Sequence, residues 1–279
     1  MRNFKGRTAV VTGAGSGIGR ALALAFAQQG THLALSDIDA DGLAQTAKQA
    51  ESHGIEVFSE VLDVADRKAV FAHKDAVVDH FDGQVHVLIN NAGVSLRATT
   101  EDMDFDDFEW LMNINFWGVV SGTKAFLPVF RQVDEAHIVN ISSIFGIVGV
   151  PTQSAYCASK FAVRGFTESL RIELMAENSH IHVSSVHPGG IKTNIVRNGR
   201  IRPMSRFDDS RDIVAQFDKH LAQTTAETAA NVIIEGMRRN EGRILIGNDA
   251  KAIDVAQRSM PTRYQKLALK LPAMGLKPK

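Results

Sequence analysis

The sequence is poor in the features that mark secreted, membrane-spanning and nucleic-acid-binding proteins. Its 279 residues contain one cysteine, Cys157, so no disulfide can form within the chain and a reducing, cytoplasmic compartment is expected. The amino-terminal residues show no secretion signal, and no stretch approaches the roughly 18 consecutive apolar residues of a membrane span. The 31 basic and 31 acidic residues cancel, which argues against nucleic acid as a partner and favours a small molecule.

What the sequence does contain is a regular alternation of strand-like and helix-like segments. Apolar runs suited to buried strands cover residues 8–12, 32–36, 56–62, 86–90, 137–142, 182–186 and 243–247. Helical spacing of apolar residues covers 18–29, 41–53, 66–81, 105–131, 155–177 and 226–239. Strands that are apolar on both faces and joined by helices belong in a parallel sheet covered on both sides. The pattern therefore predicts an α/β fold with a doubly wound sheet of about seven strands.

Two segments interrupt this alternation. Residues 191–222 form a long excursion, expected at the carboxyl edge of the sheet, where ligands bind and a substrate lid would sit. Residues 249–279 mix basic residues with leucines, which favours a helix packed on the domain or at a subunit interface over a membrane-surface segment. We expect one catalytic domain over residues 1–248, with 191–222 as a substrate-loop insertion, followed by a helical extension.

A glycine-rich turn joins the first strand to the first helix. In "VVTGAGSGIGR", Gly13, Gly17 and Gly19 allow a sharp turn and a close approach of the helix amino end to a diphosphate. Glycines also occur in ordinary strand-to-helix turns. Here strand, turn, helix and second strand follow in the order of a dinucleotide site, so a dinucleotide cofactor is predicted.

Asp37 ends the second strand, 18 residues after Gly19. An acidic side chain at this spacing accepts hydrogen bonds from an adenosine ribose and would repel a 2′-phosphate, so NAD is predicted in preference to NADP. Two alternatives stay open at this point. Asp37 could instead cap the next helix, as could Asp39 or Asp41. Arg20 could meet a phosphate, which leaves NADP open.

Tyr156 and Lys160 are one helical turn apart, so their side chains share a face. A phenol titrates at about 10, and a neighbouring ammonium lowers that pKa, which makes the pair a candidate acid and base. Ser143 ends the preceding strand and could donate a hydrogen bond to a substrate oxygen. Ser142 competes with it, since neighbouring strand residues face opposite sides. The plain alternative is a packed tyrosine beside a solvated lysine.

These motifs, in this order, resemble those of the short-chain dehydrogenase/reductase family. T-G-x-x-x-G-x-G spans residues 12–19, NNAG stands at 90–93, YCASK at 156–160 supplies Y-x-x-x-K, and HPGGIKT follows at 187–193. The resemblance covers roughly residues 5–248. It implies a Rossmann-type domain, hydride transfer between a nicotinamide and an alcohol or carbonyl, and a homo-oligomer, dimer or tetramer, built through the helices at 105–131 and 155–177.

The resemblance also implies individual roles. The catalytic residues would be Asn115, Ser143, Tyr156 and Lys160, with Asn115 preferred over Asn113 because the N-x-x-G spacing runs from it to Gly118. The cofactor would be held by Gly13, Ser16, Gly17, Ile18, Gly19, Asp37, Asp63, Val64, Asn90, Tyr156, Lys160, Ile191 and Thr193. No cluster with metal-ligand spacing accompanies the ten histidines, so no metal is expected.

The sequence thus predicts an NAD(P)-dependent oxidoreductase. Apolar residues in 94–98, 144–150 and 194–222 flank the expected crevice and favour a fairly hydrophobic secondary alcohol or ketone. The main rival is a non-catalytic NAD-binding regulator, which would have no need of Tyr156 and Lys160. A sugar-nucleotide epimerase or dehydratase would need another glycine spacing and a larger C-terminal domain than the about 30 residues after Gly247 provide.

Overall fold

The structure is a computed structural model that describes residues 1–207 and 223–268. Its strands are β1 (Thr8–Thr12), β2 (His32–Asp37), β3 (Val57–Val61), β4 (Val87–Asn90), β5 (Leu96–Arg97), β6 (Ala136–Ile141), β7 (Ile181–Pro188), β8 (Arg200–Ile201) and β9 (Arg243–Ile246). Its helices are α1 (Gly17–Ala27), α2 (Ala40–Glu51), α3 (Arg67–His80), α4 (Phe105–Met112), α5 (Gly118–Phe130), α6 (Ser154–Ala176), α7 (Ala226–Arg238), α8 (Asn248–Ser259) and α9 (Tyr264–Ala268). Parts of the predicted substrate insertion and extension, 208–222 and 269–279, lie outside the described residues.

The main sheet has seven parallel strands in the order β3-β2-β1-β4-β6-β7-β9. The predicted doubly wound sheet is confirmed. From β1 the chain moves outward to β2 and β3 and then returns to the other side of β1 at β4. The crevice beyond the carboxyl ends of β1 and β4 is therefore the topological switch point, where this class of sheet binds its ligands. The glycine turn follows β1 and the NNAG segment follows β4.

Two apolar layers enclose the sheet, as alternation along a strand requires. In β1, Ala9 and Val11 pack into a layer formed with α1, α2 and α7, while Val10 faces a layer formed with α3, α5 and α6. All five residues of β1 are buried. This two-sided burial explains why the central strand β1 is apolar on both faces. None of the helices in the described ranges combines the length and apolar character needed to cross a bilayer.

The helix predicted over 105–131 is divided. A π-helical segment (Asn113–Trp117) separates α4 from α5 and contains Asn115. Such a segment widens one turn and changes the direction of the side chains that follow, and it is frequent at functional sites. Apolar spacing does not reveal it, because the residues on both sides keep the helical period.

A second, two-stranded parallel sheet pairs β5 with β8. It joins the segment after NNAG to residues 195–207, here called the strap. The Arg200 and Arg202 side chains of the strap both donate to the buried carboxylate of Asp107 in α4, from 3.0 and 2.6 Å. The Arg200 guanidinium also lies 3.8 Å from the ring centre of Trp110. The strap is thus fastened across α4 beside the crevice.

Candidate active site

The glycine turn is held in shape by its neighbours. Gly17 has φ of +54°, a left-handed value that favours glycine, and a Cβ on Gly19 would stand 2.0 Å from the Gly13 carbonyl oxygen. The Asn91 amide donates to the carbonyls of Thr12 and Gly13, at 3.0 and 3.1 Å. The turn therefore brings the amino end of α1 to the crevice with its backbone fixed, which fits an anionic diphosphate.

Ser16 and Ile18 lie on either side of Gly17 at this amino end. Ser16 occupies the position before α1, and its side chain makes no capping bond to the first turn of the helix. Ile18 packs partly against the core below. The N–H groups of the first turn are thus not satisfied by the Ser16 hydroxyl, as an anion-binding helix start requires.

Asp37 is bound to the glycine turn. One carboxylate oxygen accepts from the Gly15 N–H at 2.7 Å, and the other accepts from the Asp39 N–H at 2.9 Å. The cap of α2 is Asp39, whose carboxylate accepts from the Gly42 N–H at 3.2 Å. The capping alternative for Asp37 is therefore wrong. A carboxylate is held at the edge of the turn instead.

Arg20 is engaged within the protein. Its guanidinium donates to the Thr46 hydroxyl at 2.9 Å and to the carbonyls of Gly15 and Gly42. Those contacts tie α1 to α2. The side chain that could have met a phosphate is committed to backbone oxygens.

Asp63 and Val64 follow β3 at the far end of the crevice. Asp63 is exposed, and its carboxylate accepts from the Ala65 N–H at 2.9 Å. The cap of α3 is Asp66, so Asp63 does not serve as that cap. Val64 is buried, and its side chain would lie 3.0 Å from a Cβ on Gly118, so the start of α5 packs closely on it.

Asn90 has a structural task. Its amide donates to Asn140 Oδ1 at 2.8 Å and to Thr123 Oγ1 at 3.1 Å, which joins β4 to β6 and α5. The residue is buried. The side chain is thus directed into the protein and stabilises the central strand.

The structure brings Lys160 and Asn115 together beside Gly93 of the NNAG segment. A Cβ on Gly93 would lie 3.1 Å from Asn115 Oδ1 and 3.5 Å from Lys160 Nζ. Lys160 is 3% exposed, and its ammonium donates to the Ile141 carbonyl at 3.0 Å. The same Nζ lies 5.7 Å from the ring centre of Tyr156. Residues from the segment after β4, the π-helical segment and α6 therefore converge at the carboxyl edge of the sheet.

The two serines after β6 separate as alternation requires. The Ser142 hydroxyl donates to the Lys160 carbonyl at 2.8 Å and faces the protein. The Ser143 hydroxyl accepts from the Phe145 N–H at 3.1 Å, and Ser143 acts to lower the pKa of the Tyr156 phenol. Ser143 is therefore the serine on the side of Tyr156.

Burial dominates the protonation of the tyrosine and lysine. It raises the pKa of Tyr156 to about 12, with hydrogen bonding from Ser143 acting in the opposite direction. It lowers the pKa of Lys160 to about 8. Loss of solvation disfavours the charged form of either group. The predicted lowering of the phenol pKa by the ammonium is thus outweighed, and the protein's own groups hold a protonated phenol.

The Asn115 side chain joins the π-helical segment to Val94 and to α6. Its amide donates to the Val94 carbonyl at 2.9 Å and accepts from the Val94 N–H at 2.8 Å. It also donates to the Ser159 hydroxyl at 3.2 Å, which in turn donates to the Tyr156 carbonyl at 2.8 Å. Both N–H groups of the amide are therefore used, and a further partner would have to donate to Oδ1. Asn113, the competing assignment, is exposed.

The segment after β7 closes the other side of the crevice. The Thr193 methyl group would lie 3.2 Å from a Cβ on Gly17, so this segment reaches the glycine turn. Ile191 is buried and pairs with Thr224 through an isolated bridge. The Gly190 N–H donates to the carboxylate of Asp249, in the first turn of α8, at 2.8 Å.

The helical extension also contacts the loop after Ser143. The Tyr264 hydroxyl accepts from the Gly149 N–H at 3.0 Å. The sequence did not predict this contact, the Asp249 contact or the hydrogen bonds made by Asn91 and Ser159. Residues that act through one hydrogen bond to a distant backbone group leave no periodic signal.

The wall beside Tyr156 is apolar. The rings of Phe145 and Tyr156 meet edge to face, with their centres 6.1 Å apart. Val94, and Ile195 from the strap, pack against the same cluster, which includes the buried Leu96. The Ile195 position is fixed because its carbonyl accepts from the Ser95 hydroxyl.

Comparison with known proteins agrees with this geometry. The family model described as short chain dehydrogenase matches residues 7–202. The chain is 49% identical over 267 residues to SadH of Mycobacterium tuberculosis, named as an oxidoreductase, covering 96% of this chain and 95% of that one. It is 38% identical over 190 residues to the 3-oxoacyl-acyl-carrier-protein reductase FabG of Thermotoga maritima, covering 68% and 76%.

A solved structure is also similar along nearly the whole chain. It is a short chain dehydrogenase/reductase from Burkholderia phymatum in complex with NAD, with a TM-score of 0.84 at 31% identity, covering 95% of this chain and 97% of that one. The sheet order, the glycine turn and these similarities lead to one assignment. The chain belongs to the short-chain dehydrogenase/reductase family and is an NAD(P)-dependent oxidoreductase.

Proposed function

We propose that the enzyme interconverts a hydrophobic secondary alcohol and its ketone with NAD as the preferred cofactor, using Tyr156 as the proton donor and acceptor. The observation that carries the proposal is the convergence of Asn115 and Lys160 beside Gly93, with the Tyr156 ring centre 5.7 Å from the Lys160 ammonium and Ser143 on the side of the phenol. A buried phenol beside a hydroxyl and an amine is suited to proton transfer at an oxygen atom.

The cofactor groups divide along the crevice. Gly13, Ser16, Gly17, Ile18 and Gly19 would hold the diphosphate. Asp37 would bind the adenosine ribose, and Asp63, Val64 and Asn90 would line the adenine side. Ile191, Thr193, Tyr156 and Lys160 would hold the nicotinamide half. When bound, the nicotinamide ring supplies or accepts the hydride.

The NAD preference rests on two contacts. The Asp37 carboxylate lies against the glycine turn through its bond from Gly15, where a 2′-phosphate would meet a negative charge. The nearby cation, Arg20, is committed to carbonyls and a hydroxyl and does not offset that charge.

The proton step follows from the protonation states. In reduction, a hydride adds to the carbonyl carbon while Tyr156 Oη gives its proton to the carbonyl oxygen, which becomes the alcohol. The Ser143 hydroxyl donates a hydrogen bond to the same oxygen as charge develops there. The Lys160 ammonium compensates the phenolate that results. The raised pKa of Tyr156 keeps the phenol protonated at neutral pH, as reduction requires.

The substrate class follows from the apolar wall. Val94, Phe145 and Ile195 pack against the apolar cluster that contains Tyr156, so a polar substituent placed against it would lose solvation without gaining a partner. The name of the Thermotoga maritima relative describes a reductase of a 3-oxoacyl group, which is a ketone on an aliphatic chain. A ketone flanked by hydrocarbon fits both observations.

We also propose the domain division and assembly. Residues 1–248 would form one catalytic domain, with 249–279 as its extension. Phe105, Ile172 and Met175 are large apolar residues, 86%, 67% and 65% exposed on α4 and α6. Burial of such a surface is expected in a dimer or tetramer formed through these helices.

The test is absorbance of the reduced nicotinamide during turnover of a panel of ketones and alcohols with NAD(H) and NADP(H). Tyr156→Phe should lower kcat/KM by about 10²–10⁴-fold while leaving nucleotide binding intact. Cys157→Ser, at the adjacent buried position, is the matched control. Asp37→Asn should lower the ratio of kcat/KM with NAD to kcat/KM with NADP. Full activity in Tyr156→Phe would refute the proposed acid and base, and nucleotide binding without turnover would favour a regulator.

A further inference from the structure

His187 is a fully buried residue near the end of β7, at the carboxyl edge of the sheet. Its Nδ1 lies 2.9 Å from the carbonyl oxygen of Ser143, and its Nε2 lies 3.0 Å from the hydroxyl of Ser185. Both ring nitrogens therefore have a partner. The proposed mechanism gives this histidine no role.

The partners fix the tautomer. A carbonyl oxygen only accepts hydrogen bonds, so Nδ1 must carry the hydrogen and donate to Ser143. Nε2 then carries no hydrogen and accepts a hydrogen bond from the Ser185 hydroxyl. Burial lowers the pKa of His187 to about 4, so the ring is neutral at neutral pH and the tautomer persists.

The bond from His187 holds the peptide group next to the Ser143 side chain. Ser143 is in extended conformation immediately before the short helical turn Ile144–Gly146, and its hydroxyl accepts from the Phe145 N–H. The Ser143 carbonyl also accepts from the Gly146 N–H at 2.9 Å, within the turn. The bond from His187 ties the same peptide group to β7. Without it the carbonyl would keep only its partner inside the turn, and a shift of the turn relative to β7 would redirect the hydroxyl.

We propose that His187 is a positioning residue, whose Nδ1–H fixes the Ser143 carbonyl and thereby aims the Ser143 hydroxyl at the substrate oxygen. This rests on the proposed role of Ser143. Displacement of a catalytic group by about 1 Å can cost about 100-fold in rate. The effect should therefore fall on kcat and leave the KM for the nucleotide unaltered.

Substitutions can separate the two ring nitrogens. His187→Asn places an amide N–H where Nδ1 stands, His187→Gln places one near Nε2, and His187→Leu removes both. Steady-state reduction of a ketone that the wild-type enzyme turns over is the assay. We expect kcat to fall about 10- to 100-fold in His187→Leu and His187→Gln. His187→Asn should be about tenfold more active than His187→Gln.

A matched control is available in β6. His137 is also fully buried and bonds a serine of β7, Ser184, at 2.8 Å, but it lies at the amino end of its strand, away from the crevice. His137→Leu should lower stability and spare kcat. Equal loss of kcat in His137→Leu and His187→Leu would overturn the positioning role, and so would His187→Asn and His187→Gln of equal activity.

Two further measurements keep the inference testable. Ring nitrogen chemical shifts of wild-type His187 should show the Nδ1–H form, and an Nε2–H form overturns the proposal even where a variant fails to fold. Ser143→Ala is assayed beside the set. If Ser143→Ala retains full activity, the proposed function of that serine fails. If it is inactive while His187→Leu matches the wild type, only the role of His187 fails.

Discussion

Replacing Lys160 should stabilise the protein while removing its activity. The ammonium is 3% exposed, and burial lowers its pKa from 10.5 to about 8. At about 1.4 kcal/mol for each pH unit, the fold disfavours the charged form by about 3 kcal/mol at neutral pH. Methionine has a similar shape and no charge. Loss of the bond to the Ile141 carbonyl costs about 1 kcal/mol of this gain. Lys160→Met should therefore raise the free energy of unfolding by about 2 kcal/mol, or Tm by about 5 °C.

The gain should depend on pH in a defined direction. Between pH 8 and 10.5 the native protein releases the Lys160 proton while the unfolded chain keeps it, so wild-type stability rises with pH across this window. Lys160→Met lacks that contribution. The stability difference between the two proteins should therefore be largest below pH 8 and shrink towards pH 10.5.

The assay is urea unfolding of both proteins at pH 7 and pH 10, with kcat/KM measured at pH 7. Lys124→Met, an exposed lysine on α5, is the matched control and should change neither quantity much. A Lys160→Met protein less stable than the wild type at pH 7 would refute the reasoning, because the fold would then stabilise the ammonium.

Three other predictions concern regions around the site. Arg202→Met leaves the buried Asp107 carboxylate with one arginine partner, and it should cost about 2 kcal/mol of unfolding free energy and raise the substrate KM, measured by urea titration and kinetics. Tyr264→Phe removes the acceptor of the Gly149 N–H and should alter KM for bulky ketones about fivefold while sparing small ones. Burial lowers the pKa of His137 well below 6.5, so below that pH the unfolded chain takes up a proton that the native protein excludes. As the pH is lowered below 6.5, the free energy of unfolding should fall by up to about 1.4 kcal/mol for each pH unit, and this slope should be smaller in His137→Gln.

The sheet could be predicted from the sequence because its central strands, such as β1, are buried on both faces, although the edge strand β3 is partly exposed. The predicted run 8–12 matches β1, and the other six strands of the main sheet differ from their predicted bounds by one or two residues. The family also followed from residues whose chemistry demands their spacing. Gly19, for example, leaves no room for a side chain beside the Gly13 carbonyl, so its position is recognisable in any sequence that makes this turn.

Other features depend on contacts between distant segments. The π-helical segment keeps the apolar period of α4 and α5, and the pairing of β5 with β8 involves two residues from each strand, too few for a pattern. The pKa of Tyr156 was predicted in the wrong direction because burial cannot be seen from the Tyr156 to Lys160 spacing. The roles proposed for the site residues stay predictions.

The way the strap is attached separates stability from substrate selectivity, two properties that often oppose each other in proteins. Its attachments to Asp107 use Arg200 and Arg202, whose side chains are 44% and 43% exposed, whereas Ile195 packs against the apolar cluster that contains Tyr156. Residues on the inner side can therefore be exchanged without loosening the attachment. If the proposed function holds, selectivity for one ketone over another can be redesigned, or can drift during evolution, while the proposed proton-transfer groups keep their positions.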